Sequence, residues 1–139
     1  MQFIAKRDIK AGEQLFYTYC SATNGVAGRQ AELEPYGFVC KCSACVNATP
    51  ETDKLRSSFG VRIVLFKSLV ENSSTTLNHS TVEEAVQLEK EMVKEGLDSE
   101  VLFLTLMRAI CLAYGKLGKL EESEKYGVLV ESIQKCFEE

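Results

Sequence analysis

From residue 49 onward, apolar residues recur every three or four positions, the period of a helix that buries one side. Leu55, Phe59, Ile63, Phe66 and Val70 lie on one such stripe and predict a helix over 50–71. Its start carries Thr49 as N-cap, Pro50 at the first helical position and Glu51 facing the positive end of the helix dipole. A polar stretch follows over 72–80. Ser80 and Glu83 have capping-box spacing and predict a second helix to about Glu95, with Gly96 as its stop. Ser99 is placed to cap a third helix over about 100–116, Gly118 ends it, and a fourth runs over about 120–137.

The pattern before residue 47 is different. Gln-Phe-Ile-Ala at 2–5 and Gln-Leu-Phe-Tyr-Thr-Tyr at 14–19 are β-like by propensity, joined by a charged connection that contains Gly12. A two-stranded ribbon is not stable alone in water. The expectation is therefore that residues 1–20 are the end of a larger sheet whose beginning lies outside this chain. Residues 21–28 are a loop of small residues, and 29–34 can make one or two helical turns, closed by Pro35. The fold class expected is mainly α with a small β portion: two strands and a cysteine-rich loop, then about four helices in antiparallel hairpins. The stretch from Leu112 to Tyr126 resembles the middle of a tetratricopeptide (TPR) repeat, in which a small-x-x-Leu-Gly turn joins two antiparallel helices. A plain helical hairpin accounts for it equally well.

Composition narrows the function classes. At 139 residues, 45% hydrophobic and 26% charged, the chain is an ordinary globular domain able to bury a core. A net charge of −4 gives no electrostatic reason to expect a nucleic-acid partner. Residues 1–10 lack the apolar core of a secretory signal, and no apolar run approaches a membrane span, so an intracellular setting, cytoplasm or nucleus, is expected with no membrane partner. Three N-x-S/T triplets, at Asn47, Asn72 and Asn78, matter only on a secretory route.

Six cysteines at uneven spacing do not make a disulfide scaffold. Four of them fall within 20–45, and Cys40, Cys42 and Cys45 have C-x-C-x-x-C spacing. In a reducing compartment such spacing suits a metal: zinc takes four tetrahedral ligands and favours thiolates. A redox pair or unliganded thiols remain the alternatives. The three can supply three ligands, and Cys20 is the nearest candidate for a fourth within this chain. Cys111 and Cys136, on predicted helices, read as buried apolar residues. Phe16, Tyr17, Tyr19, Tyr36 and Phe38 cluster in the same region. They are either plain core or, with Tyr17 and Tyr19 on one strand face and Tyr36 and Phe38 on another, the lining of a narrow slot.

Taken in order, Ala5-Lys-Arg-Asp-Ile-Lys-Ala-Gly-Glu-Gln-Leu-Phe-Tyr-Thr-Tyr19, Arg29, Leu33, Tyr36-Gly-Phe38 and Cys40-x-Cys-x-x-Cys45 resemble the end of a SET domain with its post-SET zinc motif. The nearest type is the SET-and-MYND (SMYD) group, in which a repeat-like helical region follows. The resemblance implies 1–38 as the C-terminal end of a SET domain, 39–48 as the post-SET segment and 49–139 as the helical region. It implies methyl transfer from S-adenosylmethionine to a lysine of a protein substrate, histone or non-histone. Tyr19 matches the catalytic tyrosine, which also touches the cofactor. Tyr36, with Tyr17, matches the lysine channel, Phe38 the residue packed on the adenine, and Cys40, Cys42 and Cys45 the zinc ligands. In the family the fourth ligand comes from an upstream N-H-S-C-x-P-N segment, which this chain does not contain; Cys20 is the second choice. The glycine motif of the cofactor site and the MYND module are also absent from the sequence. The expectation is a methyltransferase piece that is incomplete and inactive on its own, the alternative being a zinc-stapled helical module whose hairpins bind another protein.

Overall fold

The longest helix starts where its caps dictate. In the computed structural model, which describes residues 5, 7–15, 18–72 and 77–135, the Thr49 hydroxyl accepts from the Thr52 N–H at 3.2 Å. The Thr52 hydroxyl in turn accepts from the Thr49 N–H at 2.9 Å. This reciprocal pair satisfies two donors that a helix start leaves open. Along the chain lie α1 (Val26–Leu33), a 3₁₀ turn (Glu34–Tyr36), α2 (Ser43–Val46), α3 (Pro50–Glu71), α4 (His79–Lys94), α5 (Val101–Lys116) and α6 (Leu120–Gln134).

The small β portion is a correction: the described residues are all helix, turn and irregular chain, with no strand. The 2–5 strand lies outside the described residues apart from Ala5, and Phe16 and Tyr17 of the second also lie outside them. The described residues of that second stretch lie in no strand, and Leu15 is 70% exposed. Strand propensity expresses itself only against a neighbouring strand, and the described residues offer none. Instead, residues 7–13 close a surface turn with the Glu13 N–H on the Lys10 carbonyl (3.1 Å) and an Arg7–Glu13 ion pair.

Two local expectations shift as well. The second long helix is capped by Asn78, whose side chain accepts from the Thr81 N–H at 2.9 Å, so the Ser80 box does not form. Pro35 does not close the first short helix. It sits inside the 3₁₀ turn, where its missing N–H costs nothing, and Gly37 at φ +75° ends the run. Gly96 and Gly118, both with positive φ, end α4 and α5. After each, an N–H reaches back to close the last turn, Leu97 to Met92 and Lys119 to Tyr114, both at 2.9 Å.

The core lies between α3, α4 and α5. Phe59, Ile63, Phe66 and Val70 meet Val82, Leu88 and Met92 on one side and Leu106, Met107 and Ile110 on the other. α4 runs antiparallel to α3, with Arg62 on Glu91 at 2.7 Å, and α5 runs parallel to α3, with the Lys116 ammonium on the Val70 carbonyl. α6 folds back antiparallel on α5. Ser123 and Cys111 bond each other's backbones at 3.0 and 3.3 Å, and the Tyr114 and Tyr126 rings lie 5.7 Å apart. No described residue of α6 is fully buried, so the outer helix is held by one side only.

Arg56 joins this helical body to the segment before it. It is 5% exposed and donates to the Ala22 carbonyl at 2.7 Å and the Glu95 carbonyl at 2.8 Å, with the Glu95 carboxylate at 3.3 Å. One turn earlier on the helix, Asp53 accepts the Val26 N–H at 2.9 Å and so caps α1, whose own N-cap, Gly25, has no side chain to do so.

Candidate functional site

The site is assembled on α1. Its Gln30 amide accepts from the Cys40 N–H at 3.0 Å and donates to the Cys40 carbonyl at 2.9 Å, gripping that residue as a neighbouring strand would. Glu32 accepts the Ser21 N–H at 2.9 Å and also pairs with the Asn24 amide. Arg29 is 4% exposed. It donates to the Asn24 carbonyl, to the Ala44 carbonyl at 3.1 Å and to the Cys45 sulfur at 3.6 Å. One short helix thus holds the 20–25 loop on one side and the cysteine turn on the other.

The turn itself is closed by α2, whose first bonds run from the Cys45 and Val46 N–H groups to the Cys42 carbonyl at 3.0 and 2.9 Å. It gathers the Cys40, Cys42 and Cys45 sulfurs within 4.8 Å of one another. Thiolates about 2.3 Å from a tetrahedral zinc stand about 3.8 Å apart, so the three need only a small contraction to hold the ion. Burial opposes ionisation of Cys42, but the Cys45 and Ala44 backbone N–H groups and the neighbouring thiols outweigh it and hold Cys42 below the ordinary thiol range. For Cys40 the Cys42 backbone N–H favours the thiolate, but burial and the hydrogen bonds with Cys42 and Cys45 prevail and push the thiol up. Cys20 is pushed up by burial and by the Glu32 charge, against Arg29.

Beside the turn, Tyr19, Tyr36 and Phe38 come together. The Tyr19 ring lies 5.2 Å from Tyr36 and 6.3 Å from Phe38, the latter edge to face. Their exposures are 51%, 59% and 45%, so they form one open aromatic wall and not a core. Tyr17, the other channel candidate, lies outside the described residues, as does Cys136. Cys111 is half-buried between α5 and α6, far along the chain from the cysteine turn and bonded to Ser123. No helix among the described residues is long and apolar enough to cross a membrane.

Comparison with known proteins adds the decisive observation. The chain is 39% identical over 59 residues to the histone-lysine N-methyltransferase SET5 of Candida albicans, covering 42% of this chain and 12% of that protein. It is 40% identical over 75 residues to the SET domain and MYND-type zinc finger protein 6 of Schizosaccharomyces pombe, covering 52% and 15%. It is 31% identical over 109 residues to SET5 of Saccharomyces cerevisiae, covering 70% and 21%. Over these stretches the chain is similar to proteins named for a SET domain or for histone-lysine methyl transfer. It spans only 12–21% of the length of these relatives. No protein-family model matches it, and no solved structure does.

Within this SET-like chain, the residues that sequence reasoning missed are those that hold the site in place. Gln30, Glu32, Asp53 and Arg56 belong to no spacing motif. Two of them left a trace. Gly25 is an N-cap without a side chain, which requires a donor-satisfying group from elsewhere. Arg56 continues the stripe of Phe59, Ile63, Phe66 and Val70 at three- and four-residue steps, so it occupies a core position.

Proposed function

We propose that residues 5–46 supply the tyrosine-bearing wall and zinc-stapled closing segment of a protein-lysine N-methyltransferase site. Residues 1–38 then correspond to the end of a SET domain, 39–48 to the post-SET segment and 49–139 to the helical region on which both are mounted. The observation that carries this reading is the meeting of Tyr19 with Tyr36 and Phe38 beside the cysteine turn, although 17 and 19 residues separate them in sequence. A zinc ion held by Cys40, Cys42 and Cys45 would lock the chain just after Phe38 and so set the angle of that wall.

S-adenosylmethionine, when bound, supplies the methyl group. Phe38 offers a ring face for a flat adenine, and the Tyr19 hydroxyl offers a polar group to orient the amine and the methyl donor, a positioning and electrostatic role. Tyr36 forms the side of the channel along which the aliphatic stem of a lysine would lie. The substrate is a protein lysine, histone or otherwise, in an intracellular setting. The openness of the wall agrees with weak cofactor binding by this chain alone: the three rings cover one side of a ligand and leave the other in water.

A chimaera tests the reading. The matching 109-residue segment of the S. cerevisiae relative is replaced by that of this chain, and methyl transfer to histone is measured. Transfer is expected, with Tyr19→Phe lowering it at least about 100-fold. A folded chimaera without transfer, or one indifferent to Tyr19→Phe, overturns the assignment.

A further inference from the structure

One side of α3 is covered by α4 and α5, and the opposite side is bare. Lys54, Ser57, Val61, Val64, Leu65 and Ser68 lie on that outer side and are exposed. Val61, Val64 and Leu65 are 64%, 61% and 61% exposed. Between Lys54 and Lys67 this side carries no charged residue: Arg56 is buried, and Arg62 is turned to Glu91 of α4. The outer side of α6 shows the ordinary alternative. There the exposed Leu120 and Val128 are interspersed with the pairs Glu121–Lys125 and Glu131–Lys135 at i,i+4 spacing. A charge-free apolar stripe on the longest helix of a chain that is 26% charged marks a surface that another surface covers.

The stripe is complementary to itself. Turned about a two-fold axis between Arg62 and Ile63, an antiparallel copy of α3 brings Val61 level with Val64 and Ser57 level with Ser68. Leu65 comes level with Gly60, which has no side chain to obstruct it. The same turn brings Lys54 level with Glu71, so that each end of the pair joins an ammonium to a carboxylate. The Glu71 side chain is 59% exposed and its contact with Lys67 is a long one, 3.7 Å, which leaves it able to take this partner. A parallel pair would instead set Lys54 on Lys54 and Glu71 on Glu71, with like charges together at both ends.

We propose that the outer side of α3 binds a second copy of this chain, forming an antiparallel α3–α3 dimer closed by two Lys54–Glu71 pairs. The inference stands apart from the methyltransferase reading and does not depend on it. A 22-residue helix is about 33 Å long. A strip of that length and one helix wide falls short of the roughly 800 Å² per partner of a standard complex, so the dimer is a weak one, half formed on the order of tens of micromolar. The two N-terminal segments, each tied to the first turns of its own α3 by Asp53 and Arg56, then stand at opposite ends of the pair.

The test is sedimentation equilibrium of the reduced 139-residue chain, at concentrations from about 1 to about 500 µM. The wild-type chain should pass from monomer to dimer across this range. Leu65→Glu should stay monomeric throughout while keeping the wild-type circular dichroism and the melting temperature of the dilute chain, since its side chain lies outside the core. Lys54→Glu and Glu71→Lys should each weaken the dimer about tenfold, and the two changes made together should restore it. A chain monomeric at every concentration, or a dimer that Leu65→Glu leaves intact, overturns the proposal. So does a double variant that pairs no more tightly than the single ones, because the antiparallel match of Lys54 with Glu71 would then be wrong.

Discussion

At the scale of the residue, what matters here is which polar groups are buried and what satisfies them. Arg29 and Arg56 are the buried charged residues among those described, and each spends its guanidinium on backbone carbonyls of segments distant in sequence. Tyr126 is a smaller case. Its hydroxyl donates to Glu89 at 2.6 Å, and burial, then the Glu89 hydrogen bond and charge, push the phenol far above its ordinary range. A phenol whose pKa is higher folded than unfolded adds stability below about pH 10 and loses it as pH rises above that value. Tyr126→Phe should cost about 1 kcal/mol at pH 7. It should also flatten the alkaline fall in stability, which denaturant midpoints at pH 7 and about pH 10.5 will measure for the two proteins side by side. The cysteine cluster was legible at this scale because its members lie within six residues of each other. The aromatic wall was legible as the possible lining of a slot, but nothing in the spacing says that Tyr19 lies against Tyr36.

At the scale of the element, the long helices could be read from period and caps, while the short ones and the strands could not. A 22-residue helix such as α3 declares itself over several turns. By contrast, α1 and α2, of 8 and 4 residues, are too short to be stable alone and exist because other segments hold them. The strand expectation failed for the related reason that a strand is a pairing and not a property of one segment. Asp53 and Arg56 are where α3 lends stability to α1 and its loop. Asp53→Ala should fray α1, lowering stability by about 1–2 kcal/mol and weakening zinc binding at the cysteine turn, which hydrogen exchange of the 26–30 amides together with metal competition will reveal. Arg56→Lys should lose more than its conservative appearance suggests, about 2–3 kcal/mol, because an ammonium cannot fork between the Ala22 and Glu95 carbonyls. Unchanged thermal melts for Arg56→Lys would remove this residue from its bridging role.

At the scale of the whole molecule, most of the buried apolar residues among those described lie after residue 50, and the segment before it contributes the buried Leu33 and, at the margin of the main core, Ala22. Residues 47–139 should therefore fold alone with most of their helicity and a cooperative melt. Residues 1–46 should be unfolded until a metal is added, since their bonds to α3 would be gone. Circular dichroism of the two halves decides this, and a fragment 47–139 without helicity would show that the N-terminal segment is structurally indispensable. Sequence alone determined the helical body, the metal-suited thiol spacing and the likeness to SET-domain methyltransferases, because each is written within a few turns of chain or in ordered motifs. Tertiary structure alone decided that the described residues of the 14–19 stretch form no strand, that Asn24 and Cys45 are tied through one buried arginine, and that Tyr19 faces Tyr36 and Phe38. Those outcomes depend on which segments meet, and a polar group's partner across 15 or 34 residues, as for Arg29 with Ala44 and Arg56 with Ala22, leaves no periodic trace in the chain that carries it.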